Sequence, residues 1–151
     1  MILLAFQHGL RASEVIALTP GHLVDGYLKI QRLKGSLKTT QPLMASENPL
    51  LNERDLVIDF VAGMHREQLL FPMCRQTFWR CIQRHAQAIE LPEHKRNTKM
   101  LKHSIAMQTI KLAGVENVRQ HLGHKSLSST GEYLKVSDEE ASERIAEALK
   151  N

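Results

Sequence analysis

The chain is poor in cysteine, with only Cys74 and Cys81 among 151 residues. Their separation of seven residues fits neither a CxxC metal knuckle nor a disulfide framework, so both are read as reduced packing residues. No apolar run approaches membrane-spanning length. The apolar start, Met1 to Phe6, is too short for a secretory h-region and lacks a basic flank and a small-residue cleavage site. These absences set the expectation of a soluble, cytoplasmic protein with no membrane partner. Internal repeats and low-complexity tracts are also missing, and the length suits one domain, residues 1–151, with a real hydrophobic core.

Charge is modest in total and uneven in placement. The formal net charge is +4. Residues 1–74 are balanced, whereas residues 75–125 carry ten Lys/Arg against three acids, and the last 26 residues are net acidic. A basic middle segment can neutralise phosphates and release counterions, which would make binding salt-sensitive. A solvated basic face without a ligand has the same composition.

Patterning gives a mainly helical α+β domain interrupted by one small antiparallel sheet. Helical periodicity starts at Ser13 and runs to Leu18, where Thr19-Pro20-Gly21 ends it. Beyond a turn at Asp25-Gly26, Tyr27 to Leu33 reads as a strand and Thr39 to Met44 as its partner, with Pro42 best placed on a sheet edge. Helices are expected over Glu53 to His65, Arg75 to Ile89, Leu101 to Ala113, Val115 to Leu122 and Asp138 to Leu149, and a loop over Leu91 to Thr98. Ser137-Asp138-Glu139-Glu140 forms a capping box that would start the last helix, with Val136 and Ala141 as its staple.

Two blocks carry chemistry. Gly9-Leu10-Arg11-Ala12-Ser13-Glu14 sets an arginine beside an acid, and Leu122-Gly123-His124 precedes Tyr133 by a histidine-to-tyrosine spacing of nine. A tyrosine hydroxyl, a cationic clamp and an imidazole are the parts needed to attack a phosphodiester without a metal. Charge develops on the nonbridging oxygens during transfer, so fixed N–H donors aimed there stabilise the transition state. Arg11 offers a planar fork suited to two oxygens, and Tyr133 is a nucleophile whose deprotonation surrounding cations assist. Taken singly, Arg11 also reads as a surface base and Tyr133 as a packing aromatic. His121 and His124 share a helical spacing, but no third ligand accompanies them, so neither a metal nor a cofactor is expected. His121 reads as structural or superficial, and the isolated His8, His22, His65, His85 and His94 receive no role.

In this order the two blocks resemble the catalytic domain of the tyrosine recombinase (phage integrase) family. The resemblance implies that Arg11 grips the scissile phosphate, that Glu14 helps hold the site together, and that His124 donates to a phosphate oxygen. It also implies that Tyr133 forms a 3′-phosphotyrosyl link and that Lys34, on the hairpin, protonates the leaving 5′ oxygen. Arg32-Leu33-Lys34-Gly35 with Thr39-Thr40-Gln41-Pro42-Leu43 is particularly similar to the short recombinases that invert fimbrial promoters. One box departs from the pattern: where the family has His-x-x-Arg followed by His, this chain has Lys99-Met100-Leu101-Lys102-His103. Lys102 keeps a charge without the bidentate fork, and Lys99, while charged, has no lone pair to accept a proton. His103 lies one position along from Lys102 and is the candidate to approach the role that Lys99 vacates.

The implied partner is double-stranded DNA, contacted through Arg75, Arg80, Arg84 and Lys125. A tetramer on DNA would be joined by the C-terminal helix, whose apolar stripe Ala141, Ile145, Ala148 and Leu149 could equally pack on its own domain. The family's N-terminal DNA-clamping domain is expected to be absent and the catalytic domain shortened at its start. Two functions stand: strand cleavage and rejoining in site-specific recombination, or a catalytically weak or inactive DNA-binding or regulatory remnant.

Overall fold

A computed structural model describes residues 1–33, 36–131 and Ala146. Lys34, Tyr133 and, apart from Ala146, the expected terminal helix lie outside the described residues. Two short helices, α1 (Ile2–Gln7) and α2 (Ala12–Val15), lead through a 3-10 turn to the strands β1 (Leu23–Val24), β2 (Tyr27–Gln31) and β3 (Lys38–Pro42). Helices α3 (Glu53–Val61), α4 (Arg75–Ala88), α5 (Lys99–Ala113), α6 (Val115–Leu122) and α7 (Ser128–Gly131) follow.

The sheet is antiparallel in the order β1-β2-β3, which puts Pro42 on an edge strand as expected. Alternation on β2 buries Leu28 and Ile30 and exposes Tyr27, Lys29 and Gln31. The same period carries inward to Arg32, and on β3 to Thr39 and Gln41. The register sets Leu28 opposite Gln41 and Ile30 opposite Thr39, so the inner face of the hairpin is apolar along β2, up to Arg32, and polar along β3.

Several boundaries differ from the sequence reading. Met1 to Phe6 shows no helical periodicity, yet it forms α1 because Leu4 and Ala5 find the main core. The helix expected from Ser13 to Leu18 closes after Val15. β2 stops at Gln31, and β3 spans Lys38–Pro42 rather than Thr39 to Met44. Leu43 N instead donates to Gly26 O, and Met44 N to a Glu53 carboxylate oxygen. α3 ends at Val61, four residues early, where Gly63 takes φ +79°, a backbone region that suits only glycine well. α5 starts two residues early, at Lys99, whose N–H donates to Asn97 Oδ1 at 3.0 Å. Cys74 is exposed at the start of α4 and shares a hydrogen bond with Thr77, which corrects its reading as a packing residue.

Among the described residues the core has two parts. The larger gathers Leu4, Leu10, Val15, Leu28, Ile30, Val57, Phe71, Phe78 and Ile82, with Phe78 and Ile82 on one stripe of α4. The smaller joins Ala106 and Ile110 of α5 to Val118 and Leu122 of α6. Lys102 occupies the same stripe as Ala106 and Ile110, one turn earlier. A lysine thus stands where periodicity calls for an apolar side chain.

Candidate active site

The N-terminus of α2, the end of β2, the starts of α4 and α5, and the segment after α6 meet around a cavity of about 660 Å³. Its wall includes Arg11, Arg75, Lys99, Lys102, His103 and His124. Five of these came from the two blocks and the altered box, and the fold brings them to one place. Arg80 and Arg84 are exposed on α4, one turn apart, and Lys125 is exposed next to His124.

Arg11 is held from two sides. Its Nη1 donates to Glu14 Oε1 at 3.0 Å, and Nη2 reaches Ser36 Oγ at 3.4 Å. Glu14 is buried and also accepts from the backbone N–H of Arg11 at 2.8 Å and of Leu33 at 3.0 Å. Burial alone would raise its carboxyl, but those two N–H groups and the Arg32 and Arg11 guanidiniums hold it below the ordinary carboxylate value. Glu14 therefore stays ionised and fixes the guanidinium at the cavity mouth.

Lys102 is 9% exposed, and its Nζ donates to Leu122 O at 2.8 Å. Burial, then the neighbouring Arg11 and Arg32 charges, bring its ammonium down to about 7. The expectation that it simply retains its charge is thereby corrected: near neutral pH it is poised between amine and ammonium. His124 shares a hydrogen bond between Nδ1 and Thr130 Oγ1 at 3.0 Å. Burial, followed by Lys102, Arg11, Arg32 and Arg119, lowers its imidazole to about 4, so the ring is neutral at pH 7. When Nδ1 accepts from the hydroxyl, Nε2–H is the remaining donor. Lys99 is exposed at the rim, and His103 lines the same wall one position on from Lys102.

A model described as the phage integrase family matches residues 1–140. The chain belongs to the phage integrase family. Tyrosine recombinase XerD of Xanthomonas campestris pv. campestris is 28% identical over 152 residues, covering 90% of this chain and 47% of the relative. Tyrosine recombinase XerC of Roseiflexus sp. is 29% identical over 150 residues, covering 90% and 46%. The chain spans about half the length of these curated relatives. The XerA recombinase structure aligns with a TM-score of 0.71 at 20% identity, over 97% of this chain and 55% of that one. The XerH recombinase bound to its difH substrate gives a TM-score of 0.72 at 22% identity, over 95% and 44%. The fold is that of tyrosine recombinase catalytic domains.

Within this phage integrase fold, sequence reasoning missed three residues behind the cavity. Arg32, whose side chain is fully buried, bonds to Glu14 and to several backbone carbonyls. His8, given no role, is also fully buried, between Gln41 Oε1 at 2.7 Å and a Glu53 carboxylate oxygen at 3.0 Å. Glu53 is in turn 1% exposed. The period of two along β2, which buries Leu28 and Ile30, was the available signal for Arg32, but Arg32 entered only as part of the resemblance that pointed to Lys34. His121 proves structural: its Nε2 bonds to Gln7 O at 2.8 Å, and burial lowers its imidazole.

Proposed function

We propose that the chain is the catalytic part of a site-specific DNA recombinase, and that its cavity receives the scissile phosphate of duplex DNA. The observation that carries this reading is the convergence of Arg11, Lys99, Lys102, His103 and His124 on one cavity. Arg11 offers its fork to two nonbridging oxygens, and the neutral His124 donates through Nε2–H. Lys102 adds an N–H donor in either protonation state, and phosphate entry favours its ammonium form. Tyr133 is the nucleophile in this scheme. Its oxygen bonds to phosphorus, the bond from phosphorus to the 5′ oxygen breaks, Lys34 supplies a proton to that oxygen, and the tyrosyl proton leaves to water. The 3′-phosphotyrosyl link stores the bond energy for rejoining, which removes any need for ATP. Arg75, on the cavity wall, and the exposed Arg80, Arg84 and Lys125 are assigned to the flanking phosphates. A tetramer on DNA, linked through the C-terminal helix, is part of the same proposal.

A second reading, a weakly active or inactive DNA-binding remnant, is favoured by one observation. Lys102 spends a donor on Leu122 O and lacks the fork of the arginine that the family places there. Incubation with nicked suicide duplexes separates the two. A covalent protein–DNA adduct that is lost in Tyr133→Phe supports the recombinase, whereas salt-sensitive binding without adduct supports the remnant.

A further inference from the structure

Behind the cavity, Arg32 uses its whole guanidinium. Its Nε donates to Thr39 Oγ1 at 2.9 Å, and Nη1 to Gly9 O and to Glu14 Oε2, both at 3.2 Å. Its Nη2 donates to His8 O at 2.6 Å and His121 O at 3.1 Å, with Gln41 Oε1 at 3.5 Å. The five N–H bonds of an arginine thus face six acceptors drawn from four places in the chain. Those places are the turn before Arg11, the acid that orients Arg11, strand β3, and the last turn of α6 before His124. The close approach of Gly123 completes the joint, since a Cβ there would lie 2.8 Å from Arg32 Cγ.

We propose that Arg32 is a positioning residue of the cavity, a buried clasp that sets the Arg11 turn and the His124 segment in register with the hairpin. The reasoning rests on the reading of the cavity as a phosphate site only for its functional consequence; the geometric claim stands apart from it. A buried arginine is costly to desolvate and is retained only with its acceptors in place, so the carbonyls of His8, Gly9 and His121 cannot drift independently. Glu14 links the clasp to Arg11 directly, because its two carboxylate oxygens serve both guanidiniums. Lysine in place of Arg32 keeps the charge but has three N–H donors on a single nitrogen, which cannot span all four places.

The test is hydrogen–deuterium exchange of the whole chain, comparing the parent with Arg32→Lys and Arg32→Met. The expected result is exchange about tenfold faster in residues 8–14 and 121–125, with the α4 core residues Phe78 to Ala86 protected as in the parent. Inorganic phosphate titrated against the His124 ring resonances gives the second readout. There Arg32→Lys should weaken binding in the parent background and weaken it less in an Arg11→Gln background, because the part of the clasp's effect that passes through Arg11 is already lost. Unchanged exchange in both segments, a uniform rise across the chain, or failure of both variants to fold would each overturn the proposal. A parent that shows no phosphate response would count against the phosphate site, while the exchange pattern would still decide the role of Arg32.

Discussion

Replacing Lys102 with methionine should change how stability depends on pH more than it changes stability itself. In the folded chain the ammonium sits at about 7 against an ordinary value of 10.5. Between those values the unfolded chain binds a proton that the folded chain refuses, so stability rises with pH across this window and the charged form is the costly one. From about pH 7 to about pH 9.5 the parent should gain about 3 kcal/mol at most, a ceiling that water entry into the cavity reduces. Lys102→Met removes the titration. It also leaves Leu122 O without a donor, a cost of about 1–3 kcal/mol that is the same at both ends of the window. Urea unfolding of both proteins at several pH values across the window separates the two effects, because one is a slope and the other an offset. If the variant gains as much stability with rising pH as the parent, Lys102 is not the buried titrating group and the electrostatics of the cavity have been misread.

Restoring the family box with Lys99→His and Lys102→Arg together should increase adduct formation on a suicide substrate more than either change alone, since a titratable acceptor and a two-point phosphate grip serve one transition state. An equal or slower rate in a double variant that folds and binds DNA would mean that this box does not limit activity. Gly123→Ala should destabilise the chain by about 2 kcal/mol or more, through the φ of +69° and the buried Arg32 stem against which a Cβ would press; thermal or urea unfolding reads it directly. Duplex DNA retention should fall steeply with salt, and Arg80→Ala with Arg84→Ala should together lower the magnitude of the logarithmic salt slope by about two. Retention that is insensitive to salt would remove electrostatic phosphate contact as its basis.

The fold class, the hairpin, the main helices and the clustering of Arg11, Lys102 and His124 were legible because periodicity and motif spacing are local. Element ends were less so. The closing of α3 near Gly63 and the start of α5 at Lys99 depend on single backbone and side-chain bonds that a periodic pattern does not weigh. The buried polar groups were the real omission. Arg32, His8 and Glu53 are charged or titratable residue types that composition assigns to the surface. Their burial becomes visible only when partners 33 and 45 residues from His8, or 89 residues from Arg32, are in place. Lys102 was recognisable as a member of the altered box, but its shifted ammonium follows from burial and from two guanidiniums that converge on it only in three dimensions.

The most direct measurement is to map the covalent bond itself. A pool of nicked suicide duplexes of randomised sequence, incubated with the chain and then digested with protease and nuclease, yields any peptide that carries a nucleotide remnant. The expected result is a 3′-phosphotyrosyl remnant on the peptide containing Tyr133, abolished in Tyr133→Phe and strongly reduced in Arg11→Gln. A remnant on any other residue, or none from a folded chain that binds the same duplexes, would contradict strand cleavage by this cavity.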